Sequence, residues 1–453
     1  MLIVQFGPPG PGDALPVFSN SLGILAALLK REGIQTGLAA FGGHHSEAVR
    51  AALARHLPDC VLVDINPYSA TAAHRTIADI AQMKLPVVVC GHYATCRPTK
   101  AVSIPGVSAL LLGEYDNSGP DLFKAIRDGR SLAGIAGAWV HSDGALVRGP
   151  VAPLVEDLDS LPFPERDIFD YARLARLTRQ ASFKVARGCG NWCASCFNDW
   201  YMDLYCEKGR FARRRSVGNV LEEVHSVVAR HPEVSSVAFY DHGFAADSAW
   251  LGEFADAYPR RCALPFRCFV PIHLVTAELA ASLASAHCRW VHTQIGSGSR
   301  FIREEILSMH ARDDQIVRAC GALHDAGLSV TADVFVGSPY ESEITVEETL
   351  TLLRRCEVDE VRSRVFYPTP GTRAAEVCAE NGWISGRGEE NYWLEKSVLD
   401  MPSLPAARID AIAAKLPALV GAGHGILGKL IRRIIPPRSI SSIGKAKANG
   451  SRA

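Results

Sequence analysis

Two series of short apolar runs, each run set off from the next by an amphipathic stretch, leave this chain few architectures to choose from. The first series is Leu2–Phe6, Gln35–Phe41, Asp59–Ile65, Pro86–Cys90 and Val107–Leu112. These runs are continuous rather than alternating, as strands buried on both faces are. Their alternation with helical stretches predicts an α/β unit, a doubly wound parallel sheet with helices on both sides. The second series is Ser182–Ala186, Val234–Tyr240, Leu264–Val270, Arg289–Ile295, Ser329–Val336 and Val361–Phe366, spaced by helical patterns such as Asn219–Ala229, Thr276–Ala286, Asp314–Ala326 and Thr345–Arg355. Six β/α units in sequence predict a barrel-like sheet that does not fully close. In both arrangements ligands sit beyond the carboxyl ends of the strands. In the first unit that directs attention to Gly7–Gly12, Phe41–His45, Asn66–Thr71, Gly91–Thr95 and Gly113–Glu114.

The strongest chemical signal follows the first run of the second series. Arg187-Gly188-Cys189-Gly190-Asn191-Trp192-Cys193-Ala194-Ser195-Cys196-Phe197 carries three cysteines spaced CxxxCxxC. A cubane iron–sulfur cluster takes four thiolates, so a loop offering three leaves one iron open to a substrate or cofactor. Zinc with His225 or His242 as fourth ligand is the rival, but zinc sites more commonly pair one CxxC with a distant second pair or with histidines. The other cysteines of the thirteen lie scattered, and Cys60, Cys90, Cys268, Cys288, Cys320 and Cys356 read as small buried hydrophobes rather than a disulfide framework. Lys+Arg and Asp+Glu are equal at 48 each, which gives no field to attract nucleic acid. No apolar run is long enough to span a bilayer, and Met1–Phe6 lacks the basic flank of a signal peptide. The expected location is the cytoplasm.

The cysteine spacing resembles the signature of radical S-adenosylmethionine (SAM) enzymes. Further stretches are similar to that family at successive strand ends. Arg213–Ser216 resembles "RxRS", with Ser216 as a helix N-cap. Tyr240-Asp241-His242-Gly243-Phe244 resembles "DDxF" and implies that Tyr240 and Asp241 meet SAM. Ile295-Gly296-Ser297-Gly298-Ser299 resembles "IESGS" with Gly296 in place of the acidic residue, leaving Gln294 or no residue to make that contact. Val336–Ser342 resembles "GlPgEt", and Tyr367–Thr372 resembles "PyPGT". The resemblance thus implies a radical SAM partial (β/α)6 TIM barrel over 181–375, with Cys189, Cys193 and Cys196 as both catalytic and metal residues. Phe197, Tyr240, Asp241, Gly296, Ser297, Gly337, Pro339 and Tyr367 are its expected SAM contacts.

The first unit resembles the cobalamin-binding, Rossmann-like domain that precedes the barrel in one class of these enzymes. Pro86–Thr95 is similar to its fourth strand and "GGxHAT" loop, Val107–Glu114 to a fifth strand ending in "GE", and Ser21–Leu29 to its first helix. This resemblance implies cobalamin contacts at Ser69, Thr71, Gly91, His92, Thr95, Gly113 and Glu114, over a domain 1–135. The cobalt-ligating DxHxxG is absent, so His44, His45 and His92 read as ordinary loop histidines. Gly7–Gly12 is too proline-rich to cradle a pyrophosphate. Residues 136–180 read as a linker, and Val155–Arg166 resembles the class's "dLDxLPfPxRd" connector.

A C-terminal helical extension occupies 376–453, with a helix at Ala406–Leu416. Beyond it, the basic amphipathic run Ile426–Ile435 either packs on the barrel or rests on an anionic membrane, and roughly the last dozen residues are expected to be disordered. The implied cofactors are a [4Fe-4S] cluster, SAM and cobalamin. The implied activity is methyl transfer from SAM through methylcobalamin to an unactivated carbon of a specialised metabolite or lipid. Alternatives are a cobalamin-associated cyclisation or rearrangement, a cobalamin-independent hydrogen-abstracting enzyme, and a non-enzymatic sensor or carrier. Expected partners are a small-molecule or lipid substrate and a low-potential electron donor resembling flavodoxin or ferredoxin, with no nucleic acid.

Overall fold

The computed structural model describes residues 1–7, 17–142, 144–388, 392 and 395–421. The first sheet is built from β1 (Leu2–Phe6), β2 (Gly37–Phe41), β3 (Val61–Asp64), β4 (Val87–Cys90), β5 (Val107–Leu111), β6 (Ala138–Ser142) and β7 (Ala145–Arg148). Its spatial order is β2-β1-β3-β4-β5-β6-β7. The first five strands are parallel, and β6 and β7 add an antiparallel hairpin beside β5. Two apolar cores, one on each face, explain why the strand runs are apolar throughout: Val61, Val63, Val87 and Val89 point into one, and Leu62, Val88 and Leu111 into the other.

The hairpin corrects the expectation of a plain linker over 136–180. Ala138 and Val140 bury one face, Trp139 packs on the other, and His141 lies exposed, so only a short stretch is apolar and the segment reads as a loop. The rest of the connector is fixed by Arg166. Its guanidinium donates to Ser182 O at 3.0 Å and Glu223 at 2.7 Å, and stands over the rings of Phe18, Tyr171 and Phe183.

The second unit begins with β8 (Gln180–Phe183). The next strand, β9 (Ala186–Arg187), leaves the barrel and pairs antiparallel with β10 (Arg213–Arg214). The barrel continues through β11 (Ser236–Phe239), β12 (Phe266–Phe269), β13 (Cys288–Gly296), β14 (Ser329–Val336) and β15 (Glu360–Val365). All neighbours are parallel, in the order β15-β14-β13-β12-β11-β8, so β15 and β8 are unpaired edges and the barrel is open. Ser216 caps the helix Val217–Arg230 by accepting from Asn219 N at 3.2 Å, as the sequence predicts.

The helix Ala406–Gly421 covers β15, and it runs through Pro417 rather than stopping at Leu416. A proline there removes the N–H that Ala413 O would receive. Ser363 Oγ on β15 donates to that carbonyl instead, at 2.5 Å. The expectations for most of Gly7–Gly12, for Ile426–Ile435 and for the chain's end lie outside the described residues.

Candidate active site

The cysteine loop is held from three sides. Gly188 sits at φ +76°, where a Cβ would lie 2.3 Å from Phe211 O, so only glycine lets the chain turn out of β9 against the backbone. Ala194 N donates to Leu307 O at 2.9 Å, Ala374 N donates to Ala194 O at 3.0 Å, and Arg373 donates to Trp192 O at 2.9 Å. These bonds tie the loop to the segments that follow β13 and β15. Cys189, Cys193 and Cys196 are all half-buried, and burial pushes the Cys189 thiol up. Among the described residues no three His, Cys, Asp or Glu side chains converge as a single ion would require, and His225 is exposed on its helix. Three thiols spread along one loop suit a multi-iron cluster better than zinc.

Beside the loop lies a cavity of about 340 Å³. Asn191, Trp192 and Cys193 form one wall, and His242, Phe269 and Gln294 form another. Its volume and its mixed lining fit a nucleoside with an amino-acid tail. Asp241, next to the cavity-lining His242, has Oδ2 accepting from Val185 N at 2.8 Å, while Oδ1 is buried without a hydrogen-bond partner. Burial raises its carboxyl above the usual range, a state an approaching ammonium would reverse. His242 stacks on Phe269 at 3.9 Å and is pushed down to about 4, first by burial and then by the charge of Lys184. Tyr240 donates to Gln180 at 2.8 Å.

Gly296, where the resemblance anticipates an acid, has φ +77°, and a Cβ would stand 2.7 Å from Met309 Sδ. The thioether of Met309 fills that position and lines the cavity, so Gln294 is the polar side chain left to face inward. Ser297 turns away from the cavity. It is fully buried, 3.3 Å from Thr349 Oγ1, and it receives Ser299 N at 3.2 Å. Gly337 has φ +87°, its N–H bonds the buried Glu341 carboxylate, and Pro339 is buried beside it. Burial pushes Glu341 up to about 7.

The carboxyl edge of the first sheet faces this mouth. Phe197, directly after Cys196, packs on His92 at 4.3 Å, and burial pushes that imidazole down to about 4. Thr95 Oγ1 donates to Gly91 O at 2.8 Å and receives Gly113 N at 3.1 Å. Tyr205 Oη receives Glu114 N at 2.5 Å. The Glu114 carboxylate pairs with Arg187 at 2.9 Å and with Arg213 at 2.5 Å, and Arg187 also pairs with Asp116. The helix Asn198–Leu204 and its C-cap Tyr205 thus cover the loops after β4 and β5. In this structure His92, Thr95, Gly113 and Glu114 lie where the two units meet.

The same edge continues through the loop after β3. Gly91 has φ +96°, where a Cβ would fall 2.3 Å from Asp64 Oδ1. Asn66 Oδ1 is buried without a hydrogen-bond partner. Ser69 is buried with its Oγ 3.3 Å from Asn66 O, and Thr71 is exposed in the first turn of the helix Ala70–Gln82. The unpartnered Asn66 Oδ1 is an acceptor that an amide N–H on the rim of a corrin would satisfy. Tyr68 reaches across, stacked on Tyr392 at 3.7 Å and edge-on to Tyr367 at 6.3 Å. The sequence reading missed the Arg187–Glu114–Arg213 network and the inward-facing His292 and Asp333 on β13 and β14; alternation along those strands was the available signal for the latter pair.

Residues 183–353 match the family model described as the Radical SAM superfamily, so the barrel is a radical SAM domain, which uses a [4Fe-4S] cluster and SAM. An uncharacterized methyltransferase of Pyrococcus horikoshii is 22% identical over 332 residues, covering 73% of this chain and 71% of that protein. Among solved structures, the radical SAM methyltransferase TsrM from Kitasatospora setae, with tryptophan substrate and a SAM analogue bound, superposes with a TM-score of 0.69 at 17% identity, over 93% of this chain and 90% of that one. The same enzyme with cobalamin and cluster bound gives 0.67 at 18% identity, over 85% and 76%. The cobalamin-dependent radical SAM enzyme OxsB gives 0.65 at 15% identity, over 84% of this chain and 55% of that one. The chain shares the fold of these enzymes across both units.

Proposed function

We propose that this chain is a cobalamin-dependent radical SAM methyltransferase acting on an unactivated carbon of a small specialised metabolite or a lipid. The observation that carries the reading is the apposition of the two carboxyl edges, with the cysteine loop's Phe197 against His92 of the first sheet at 4.3 Å. A ligand held on either edge looks toward the other. When bound, the cluster, SAM and cobalamin supply a hydrogen-abstracting radical and a transferable methyl group.

The chain's own residues set the stage. Cys189, Cys193 and Cys196 would hold the cluster through their thiolates, and a cluster with three protein ligands would have a position open to SAM. Asp241, with its buried and unpartnered Oδ1, would accept a charge-assisted hydrogen bond from the SAM ammonium. Phe269, Ile272 and Met309 exclude water from the cavity. At the first sheet, Asn66 and Ser69 would meet the polar rim of the corrin. Tryptophan as substrate in the TsrM structure supports a small-molecule substrate here. Among the described residues no helix is long and apolar enough to cross a membrane. A flavodoxin- or ferredoxin-like donor in the cytoplasm would reduce the cluster, and no nucleic acid is involved.

The test is the corrin content of protein expressed anaerobically with hydroxocobalamin supplied, followed by turnover with methyl-deuterated SAM. Near one corrin per chain, and label in a carbon-bound methyl group, is the expected result. No corrin in protein with an intact cluster overturns the methyltransferase. The cover that Tyr201 and Tyr205 place over the β4 and β5 loops favours a second reading for that outcome, a hydrogen-abstracting enzyme without cobalamin.

A further inference from the structure

Where β8 opens toward the first unit, the chain presents a cation that no acid of its own neutralises. Ala181, Phe183 and Val185 turn into the barrel core. Gln180, Ser182 and Lys184 alternate with them and take the other face, which Tyr240 meets through its bond to Gln180. Lys184 is exposed, its carbonyl accepts from Arg215 at 3.0 Å, and among the described residues no carboxylate pairs with its ammonium. Asp241 does not serve, since its Oδ2 takes Val185 N and its Oδ1 is buried without a partner. The neighbouring arginines are all answered: Arg187 and Arg213 pair with Glu114, Arg214 with Asp247 and Arg215 with Glu223. The charge of Lys184 is felt on both sides of the joint. It helps to depress His242, which lines the cavity, and His92 on the first sheet. Both imidazoles are exposed, although the protein packed around them is the main cause of their shifts. Open surface at such depth marks a water-reachable space between the two edges, with Lys184 beside it.

We propose that Lys184 docks a carboxylate of the substrate, so that the molecule taken between the two edges is a small carboxylic acid. The inference rests on the reading that a substrate enters there for methyl transfer, and it narrows that substrate's class. An ammonium is a point charge with three donors, suited to a single carboxylate whose orientation other contacts set. A phosphate is held better by guanidinium forks, and the arginines at this joint already hold carboxylates. An acid bound by Lys184 is anchored at one end, and its carbon body is left to lie between the two edges. A neutral analogue of the same shape leaves the ammonium without its partner, so the residue selects by charge.

The experiment uses the cluster-loaded enzyme and a matched pair of probes, phenylacetate and phenylacetamide, in equilibrium dialysis. Wild type should hold the acid at least about tenfold more tightly than the amide, the margin of one hydrogen bond between charged groups. Lys184→Met should bring that ratio to about one, and Lys184→Arg should restore part of it, while iron content and thermal midpoint stay unchanged. Acetylation of Lys184 by acetic anhydride in wild type, mapped by mass spectrometry, gives the second readout. Phenylacetate should slow it and phenylacetamide should not, and this carries the inference if Lys184→Met fails to fold. Equal binding of acid and amide, binding of neither, an undiminished ratio in Lys184→Met, or acetylation indifferent to phenylacetate overturns it. Full protection of Lys184 by SAM alone also overturns it, since the ammonium would then belong to the cofactor's carboxylate. Neither readout involves corrin or methyl transfer, so the dock stands if the methyltransferase reading fails, and the reverse.

Discussion

Gly113→Ala tests whether the barrel really seats on the first sheet through Tyr205. At φ +70° a side chain costs roughly 1–2 kcal/mol of backbone strain. The new Cβ would also stand 2.0 Å from Tyr205 Oη and 2.9 Å from its Cζ. The ring must swing, and the bond from Glu114 N breaks, leaving that N–H unpaired at a cost of about 1–3 kcal/mol. The expected total is about 3 kcal/mol. Tyr205→Phe alone loses the same bond, about 1–2 kcal/mol. In the Phe background the hydroxyl is gone, so Gly113→Ala should cost little more than the backbone term, and the coupling should be about 1–2 kcal/mol. Anaerobic urea unfolding of the four proteins, followed by circular dichroism, measures the cycle. Effects that add to within about 0.5 kcal/mol would refute the contact and free the β5 loop to meet a cofactor directly.

Three further outcomes follow from the same geometry. Gly296→Glu, which restores the acidic residue of the related motif, should lower stability by about 2–3 kcal/mol from left-handed strain and overpacking against Met309, and Met309→Ala in the same chain should recover part of it in thermal unfolding. Glu341 is pushed from 4.5 up to about 7 by burial, so the folded state binds the extra proton in that window and stability falls as pH rises through it. The loss should reach about 3 kcal/mol, and it should be absent from the stability curve of Glu341→Gln, measured by urea unfolding across pH. Cys193→Ser should abolish the brown absorption of the reconstituted cluster and its iron content while leaving the far-ultraviolet circular dichroism unchanged.

Strand existence was legible because buried parallel strands write continuous apolar runs. The hairpin β6–β7 was not, since its strands are short, carry His141 and Arg148 exposed among the apolar residues, and are flanked by Pro- and Gly-rich turns. The cluster loop was legible from spacing alone. The fate of Glu114 was not: nothing in Gly113-Glu114 says that its carboxylate will find Arg187 and Arg213, residues distant in sequence that the β9–β10 ladder brings together. Gly296 illustrates the opposite error. A missing acid looks like a lost contact, whereas the backbone angle and Met309 make glycine the residue that fits.

The serine that donates to Ala413 O carries a consequence for the history of this chain. Pro417 and Ser363 stand far apart in sequence, yet each makes the other tolerable: proline strands a carbonyl, and the strand hydroxyl answers it. In descendants that keep the proline, position 363 should admit only side chains able to donate a hydrogen bond. Once the proline is lost, that site should drift freely toward alanine or valine. The two positions should therefore change together, and the order should be fixed, with the hydroxyl arriving before the ring.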